Sequence, residues 1–327
     1  MPGPFRFPTP PPSREDGMIP LDLRGKVALV TGVGDNESFA WFIAKSLQAA
    51  GARIILAVHP RLIRIIEGFL TSEKAEDVAS RKLPFGDGLL TAEKVLPCDV
   101  SFDTAEDVPA ATREDRRYLR VQEQYGDYTI AGLMKAAGEH TGGVLDILIH
   151  SVAFTPEIKN LAIATSRSAY MTALGISAYS LTSLLRSAQP LMEKRPGGAS
   201  AVGLTYLGGE RVVGHYGGGM STAKAALQMD ARQLANNLGP KNIRVNLISA
   251  GPYASRAARA IGDIQHMIDY AAAVSPLRRA ITAEEVANTT AFLCSPLASG
   301  ITGEILFVDA GYNIMGVPPS DLTMPGK

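Results

Sequence analysis

Seven short apolar runs recur along this 327-residue chain, and they constrain its fold more than any other feature. Each run is almost continuously rich in valine, isoleucine and leucine, whereas a half-exposed strand would alternate apolar and polar residues. This pattern is typical of strands that are buried on both faces of a parallel sheet. The runs span residues 26–31, 53–58, 94–98, 145–150, 199–204, 243–248 and 304–308.

Segments with helical spacing lie between these runs. They span residues 39–50, 129–140, 166–192, 221–238 and 283–293. Strands that alternate with helices predict a doubly wound α/β fold. We therefore predict a single domain over residues 21–317, with a seven-stranded parallel Rossmann-type sheet and helices on both faces. Two polar stretches, 68–93 and 102–127, are long for plain connections, and we interpret them as surface insertions.

The two ends of the chain differ from the domain in composition. Residues 2–12 read PGPFRFPTPPP, which is too rich in proline for a helix or a central strand. We predict a flexible N-terminal segment over residues 1–20. Residues 318–327 are expected to form a C-terminal tail.

The overall charge excludes several classes of partner. Lysine plus arginine number 32 and aspartate plus glutamate number 32, so no net basic field draws nucleic acid or an anionic membrane. No apolar stretch reaches the length that crosses a bilayer. The five histidines and two cysteines lack metal-ligand spacing, so we predict no metal site.

A glycine turn follows the first predicted strand. Gly32 and Gly34 stand where a dinucleotide-binding turn places glycines, although the third glycine is replaced within residues 38–40. Such a turn brings pyrophosphate to backbone N–H groups and a helix N-terminus. The candidate cofactor contacts at this turn are Gly32, Asp35, Phe39 and Trp41.

The ends of the second and third strands offer contacts for the adenosine half of a dinucleotide. No acid follows strand two, where His59 either stacks on adenine or caps the strand. Arg61 either reaches a 2′-phosphate or is an exposed surface arginine. Asp99 either accepts from the adenine amino group or caps a helix. Val100 is assigned to the cofactor with it.

Three further strands are expected to end in one crevice, beside Tyr216 and Lys224. Doubly wound sheets bind their ligands at the carboxyl ends of the strands. The candidate ligand contacts there are Ser151, Val152 and Ala153 after strand four, Thr205 after strand five, and Ala250, Gly251 and Pro252 after strand six.

The chemistry of the site is predicted from Tyr206, Tyr216 and Lys224, which flank the triple glycine at 217–219. A tyrosine hydroxyl donates to a carbonyl oxygen that gains charge, and a lysine beside it supplies a fixed positive charge. That charge is expected to lower the tyrosine pKa from about 10. Tyr216 and Lys224 are eight residues apart, and no tyrosine has lysine four residues on, as carbonyl–alcohol dehydrogenases do. The alternative is a flexible loop with a solvated lysine.

These motifs resemble a known family. The segments that carry the resemblance are LDLRGKVALVTGVGD, LPCDVSFDTAEDVP, LDILIHSVA, TYLGGERVVGHYGGGMSTAKAALQ, NIRVNLISAGPYASRAARAIG and PLASGITGEILFVDAGYNIMGV. They are similar to the NADH-dependent enoyl-[acyl-carrier-protein] reductases, in the plant-plastid and apicoplast branch of the short-chain dehydrogenase/reductase superfamily. The likeness covers residues 21–317. Two departures concern the cofactor: residues 38–41 replace a glycine-rich string, and His59 stands where tryptophan is usual.

The resemblance implies roles for the site residues. Tyr216 stabilises the enolate oxygen, Lys224 holds the cofactor ribose, and Tyr206 shapes the thioester pocket. It also implies that residues 151–153 line the nicotinamide side of the cofactor. Residues 250–252, with Ser255, Arg256 and Ala257, are expected to meet its nicotinamide amide and pyrophosphate. The acyl chain is expected to meet Tyr206, Tyr216, Met220, Ala257 and Ile261, and residues 254–269 to form the substrate-binding loop.

The resemblance further implies a reaction, a cofactor and a setting. The reaction is reduction of the trans-2 double bond of enoyl-acyl carrier protein, with NADH preferred over NADPH. The assembly is a homotetramer in a plastid-type organelle, with the bacterial cytoplasm as the alternative. Two other functions stay open: a short-chain dehydrogenase that acts on a carbonyl, and a non-catalytic NAD-binding protein.

Overall fold

The predicted strands form one sheet in the computed structural model, which describes residues 21–214, 216–259 and 262–317. The strands are β1 (Val27–Thr31), β2 (Arg53–Val58), β3 (Lys94–Pro97), β4 (Ile147–His150), β5 (Ala199–Thr205), β6 (Ile243–Ala250) and β7 (Ile305–Val308). Every neighbouring pair is parallel, in the order β3-β2-β1-β4-β5-β6-β7. The predicted seven-stranded parallel sheet is confirmed.

Helices occupy the connections between these strands. Within the described ranges they are α1 (Phe39–Ala49), α2 (Ile63–Thr71), α3 (Ala75–Arg81), α4 (Ala110–Arg113), α5 (Arg116–Tyr125), α6 (Ile130–Thr141), α7 (Arg167–Leu174), α8 (Ser180–Met192), α9 (Met220–Leu238), α10 (Arg256–Arg259), α11 (Ile264–Val274) and α12 (Ala283–Cys294). The helix predicted over 166–192 is divided, because a π-helical segment, Gly175–Tyr179, joins α7 to α8.

A hydrophobic layer lies on each face of the sheet. Helices α1 and α12 cover one face, where Trp41 and Leu293 are fully buried. Helices α6, α8 and α9 cover the other, where Leu184 and Leu227 are fully buried. Each such leucine contributes about 1.5–3 kcal/mol through burial. The helices predicted on both faces are confirmed.

The two stretches predicted as surface insertions contain helices of their own. Parts of α2 and all of α3 fall within 68–93, and α4 and α5 fall within 102–127. Leu90 is fully buried, and Tyr118 and Val121 are 4% and 6% exposed. These side chains anchor both stretches to the core.

The strand order reverses between β1 and β4, which opens the crevice where such sheets bind ligands. None of the described helices is long and apolar enough to cross a membrane. The segment predicted over 1–20, the tail predicted over 318–327 and Ile261 lie outside the described residues.

Candidate active site

The glycine turn after β1 packs directly against the end of β4. Gly32 has a φ of +81°, and a Cβ placed on it would lie 2.0 Å from the carbonyl oxygen of Ser151. Ser38 caps α1, since its hydroxyl accepts from the Trp41 N–H at 3.4 Å and donates to the Asp35 carbonyl at 2.8 Å. The first-turn N–H groups of a helix have no partner within it. The turn therefore has the backbone donors that a pyrophosphate requires.

The other residues assigned to this turn have separate surroundings. The Asp35 carboxylate accepts from the Glu37 N–H at 3.0 Å and is buried. The Phe39 ring lies 4.9 Å from that of Tyr253. Trp41 has no exposed surface, and its indole N–H donates to the Ser80 carbonyl at 3.0 Å. Core packing accounts for Trp41, and its contact with a cofactor stays a prediction.

Asp99 forms the centre of a polar cluster at the end of β3. Its carboxylate accepts from the Tyr118 hydroxyl at 2.7 Å and from the Ser101 N–H at 3.0 Å, and His59 Nε2 lies 3.4 Å away. Burial alone would raise the pKa of Asp99, but hydrogen bonds from His59 and Tyr118 hold it well below its usual range. Asp99 is therefore a carboxylate at neutral pH. Sequence reasoning missed Tyr118, which comes from α5 of the second insertion.

His59 and Arg61 lie at the rim of this cluster. His59 Nδ1 accepts from the Arg61 N–H at 3.2 Å, so the hydrogen of a neutral His59 is on Nε2, toward Asp99. The Arg61 guanidinium is exposed and lies 5.9 Å from the centre of the Tyr118 ring. Within the described ranges no carboxylate is within ion-pair distance of Arg61.

The triple glycine folds the loop before α9 against residues 155–160. The N–H groups of Gly217 and Gly218 donate to the carbonyls of Ile158 and Asn160, at 3.2 and 3.0 Å. A Cβ on Gly217 would lie 1.8 Å from the Asn160 carbonyl oxygen. Gly218 and Gly219 have φ values of +60° and +80°, which a side chain rarely permits. The glycines thus fix the course of the loop that carries Tyr216.

Gly217→Ala is expected to displace this loop, because the added methyl group would overlap the Asn160 carbonyl. We expect the free energy of unfolding to fall by about 1–3 kcal/mol. We also expect kcat/KM to fall at least ~10-fold, because Tyr216 moves. Gly214→Ala is the matched control, since no atom lies within 4 Å of a Cβ there. Equal stability and rates in the two variants would contradict this account of the loop.

Tyr206 and Tyr216 pack edge to face, with ring centres 4.9 Å apart at 68°. A Cβ on Gly208 would lie 2.6 Å from the Tyr216 ring and 3.2 Å from the Tyr206 ring. Burial, and then the neighbouring Tyr206, raises the pKa of the Tyr216 hydroxyl above its ordinary value. Burial likewise raises the pKa of Tyr206. The expected lowering of the tyrosine pKa is wrong, because burial of both hydroxyls raises it.

Lys224 is buried in the second turn of α9, which begins one residue earlier than predicted. Its Nζ donates to the Leu204 carbonyl at 2.8 Å. Burial lowers the pKa of Lys224 to about 8. A Cβ on Gly209 would lie 2.9 Å from the Lys224 carbonyl carbon, so the turn at 207–209 contacts Lys224 and both tyrosines. The alternative of a solvated lysine is wrong.

The remaining assigned residues lie at or beyond the same sheet edge. Because β4, β5 and β6 are adjacent, their carboxyl ends meet there. The buried members are Val100, Thr205, Met220, Ala250, Gly251 and Pro252, while Ser151 and Val152 are half-buried and Ala153 is exposed. The Ser255 hydroxyl accepts from the Ala258 N–H at 3.2 Å, and Arg256 is exposed. The side chain of Ala257 lies outside the described set.

Comparison with known proteins identifies the family. A family model described as Enoyl-(Acyl carrier protein) reductase matches residues 93–313. The chain is 46% identical to enoyl-[acyl-carrier-protein] reductase [NADH] 2, chloroplastic, of Oryza sativa subsp. japonica, over 91% of this chain and 78% of the relative. It is 46% identical to the chloroplastic [NADH] reductase of Arabidopsis thaliana, over 91% and 74%.

A solved structure agrees with these relatives. The enoyl-acyl-carrier-protein reductase of Plasmodium berghei, crystallised with triclosan, superposes with a TM-score of 0.82 at 36% identity, over 91% of this chain and 100% of that one. Together with the glycine turn, the paired tyrosines and the buried lysine, these matches show that the chain belongs to the enoyl-[acyl-carrier-protein] reductase family.

Proposed function

We propose that this chain reduces the trans-2 double bond of enoyl thioesters on acyl carrier protein with NADH, as the last step of type II fatty acid elongation. The observation that carries the proposal is the packing of Tyr206 and Tyr216 beside buried Lys224, at the edge where β4, β5 and β6 end. The names of the relatives support the reaction and the cofactor.

Tyr216 is the proposed oxyanion donor. When bound, the nicotinamide supplies a hydride to C3 of the enoyl thioester. Negative charge then develops on the thioester oxygen, and the Tyr216 hydroxyl donates to it. The raised pKa of Tyr216 keeps this hydroxyl protonated at neutral pH, so it stays a donor. Tyr206, packed on its edge, shapes the thioester pocket.

Lys224 is the proposed ligand of the ribose hydroxyls. The Leu204 carbonyl accepts one of its three N–H groups, so two remain for other acceptors, a ribose hydroxyl among them. With a pKa of about 8, roughly nine in ten of these side chains are charged at pH 7. A buried ammonium fits a hydroxyl-rich group at this edge of the sheet.

The turn after β1 and the end of β3 fit the rest of a dinucleotide. The N-terminus of α1 would hold the pyrophosphate, and the Asp99 carboxylate would accept from the adenine amino group. Exposed Arg61 is the residue that favours a 2′-phosphate, although the [NADH] names of the relatives support NADH.

The acyl chain is proposed to lie along the loop at 254–269 and beside Met220. Met220 is 4% exposed and packs with Ala173 and Ala223 in a small apolar cluster. This cluster adjoins Tyr216, so it extends the thioester pocket with apolar surface.

The test is a comparison of substrates and cofactors in steady state. The purified chain should oxidise NADH with an enoyl thioester and leave a 3-ketoacyl thioester unreduced, with NADPH slower than NADH. Turnover of the ketoacyl form alone would support a carbonyl dehydrogenase. Binding of NADH without turnover of any thioester would support a non-catalytic protein.

The assembly and its compartment belong to the same proposal. We propose a homotetramer, supported by the edge strand β7, where Leu306 is 39% exposed. A light-scattering mass equal to one chain would contradict it. The chloroplastic relatives support a plastid-type organelle.

A further inference from the structure

His150 carries an unpartnered nitrogen beside the proposed active site. It is the last residue of β4 and has no exposed surface. In the part of the chain that is described, two buried side-chain nitrogens lack a hydrogen-bond partner, His150 Nδ1 and Arg81 Nε. The other two nitrogens of the Arg81 guanidinium still donate to the carbonyls of Leu70 and Ser72. A buried polar atom without a partner needs an explanation.

The hydrogen bonds around Ser180 fix the tautomer of His150. The Ser180 hydroxyl donates its one hydrogen to the Ile176 carbonyl at 2.7 Å. It therefore accepts from His150 Nε2, which lies 2.7 Å away and must carry the ring hydrogen. Nδ1 is then a bare acceptor. The Ile176 carbonyl belongs to the π-helical segment, a feature that is frequent at functional sites.

Nδ1 and the Lys224 ammonium lie at neighbouring residues of β5. His150 pairs with Gly203 in the β4–β5 ladder, and a Cβ on Gly203 would lie 3.8 Å from Nδ1. The next residue, Leu204, supplies the carbonyl that accepts from Lys224 Nζ. Burial, and then the charge of Lys224, lowers the pKa of His150 to about 3. His150 is thus neutral, and it lies within the field of the lysine.

We infer that His150 is a positioning residue for Lys224, whose ammonium donates to Nδ1 through one bridging water. The ammonium has three donors and the Leu204 carbonyl accepts one. Polar groups buried together but beyond bonding distance are commonly joined by an ordered water. This second acceptor keeps the buried ammonium protonated and oriented toward the sheet edge. The inference rests on the role of Lys224 in the proposed function.

If His150 positions Lys224, substitution of His150 should change how NADH affinity falls with rising pH, since Lys224 sets that fall. We call this fall in affinity the alkaline limb. The titratable groups at this corner are Lys224 from α9 and the two tyrosines, with Asp309 and Tyr312 behind Tyr206. Both tyrosines titrate above their ordinary range, whereas the Lys224 pKa is about 8. NADH affinity should therefore be full below pH 8 and fall as pH rises through it.

Two substitutions of His150 distinguish the role of Nε2 from the role of Nδ1. His150→Gln places an amide N–H near Nε2 and keeps the donor to Ser180, but it removes the acceptor at Nδ1. His150→Asn places an amide oxygen near Nδ1 and keeps the acceptor, but it loses the bond to Ser180. A purely structural role predicts that the Gln variant is the milder one, and the inference predicts the opposite.

The measurement is the NADH dissociation constant from pH 6 to pH 9, followed by NADH fluorescence on the full chain. We expect the Gln variant to lower the midpoint of the limb by about one pH unit, so that NADH binds about fivefold more weakly at pH 8 and equally at pH 6. The Asn variant should keep the midpoint. Ser180→Ala, which releases the tautomer without changing His150, should also lower it.

Three outcomes would overturn the inference. They are a Gln variant with the midpoint of the parent chain, equal shifts in the Gln and Asn variants, and a parent chain whose NADH affinity is constant over this pH range. Because binding alone is measured, the result does not depend on thioester turnover. A chain that shows the predicted shifts but reduces no enoyl thioester would instead overturn the proposed function.

Discussion

Replacing Tyr216 with phenylalanine is expected to lower kcat for an enoyl thioester by on the order of 100-fold or more. The hydroxyl makes its key bond as charge develops on the thioester oxygen, so its loss affects the transition state more than the bound substrate. KM should change little. Steady-state kinetics with a crotonyl thioester measure both parameters.

The control for this substitution is Tyr206→Phe. The Tyr206 ring packs edge to face on that of Tyr216 and is retained as phenylalanine. Because we assign Tyr206 to the shape of the pocket, we expect its kcat to fall about tenfold or less. An unaltered rate in the Tyr216 variant, or a larger loss in the Tyr206 variant, would contradict the assigned roles.

Lys224→Met is expected to weaken NADH binding by about 10- to 100-fold, since hydrogen bonds to a charged group are the strong ones. The parent chain should lose affinity as pH rises through about 8, where the buried ammonium deprotonates. The Met variant should bind NADH equally weakly on both sides of that pH. Calorimetric titration at pH 6.5 and pH 9 tests both statements.

Stability provides the control for Lys224→Met. The pKa of Lys224 is lower in the folded chain than the ordinary lysine value of 10.5, so its burial costs stability below pH 8, and this cost fades as pH rises from 8 toward 10.5. Removal of the charge should therefore leave the thermal midpoint at pH 7 unchanged or higher. Lys241→Met, at an exposed lysine paired with Glu193 at 3.2 Å, should change neither property. A strongly destabilised Lys224 variant would contradict the account of its burial.

The strands were predictable because burial on both faces leaves a continuous apolar run. β2 has the predicted bounds, and β6 continues two residues past its predicted end at 248. Ser249 pairs with Thr205 there, and Ala250 pairs with Val308. Such ladder pairs depend on neighbouring strands, so apolar patterning alone does not locate the end of a strand.

The contact between Tyr118 and Asp99 could not be predicted from local pattern. Tyr118 recurs with Val121 and Tyr125 at helical spacing in a charged stretch, but that spacing does not show that the Tyr118 hydroxyl reaches the end of β3. The partner is set by how the second insertion folds back on the sheet. The predicted lowering of the Tyr216 pKa was wrong for a related reason, because residue spacing indicates a nearby charge but not the degree of burial.

The glycines around Tyr216 indicated a tight loop, and the structure supplies its partners. Gly217 and Gly218 bond to residues 158 and 160, which precede them by more than fifty positions. Sequence spacing therefore predicted the need for glycine but not the surface that requires it. The sequence likewise showed His150 only as the end of a strand. Its bare Nδ1 could not be predicted, because the tautomer is set by a hydrogen bond to Ser180, thirty residues later.

The most direct test of the central claim follows the transferred hydride. NADH that carries deuterium at C4 of the nicotinamide, on the transferred face, is supplied with a crotonyl thioester, and the saturated product is analysed by mass spectrometry and NMR. The account predicts one deuterium at C3 of the acyl chain and hydrogen from solvent at C2. Deuterium at C2 of the acyl chain would contradict it. So would a crotonyl thioester left unreduced while a 3-ketoacyl thioester, supplied in a parallel reaction, gains deuterium at its former carbonyl carbon.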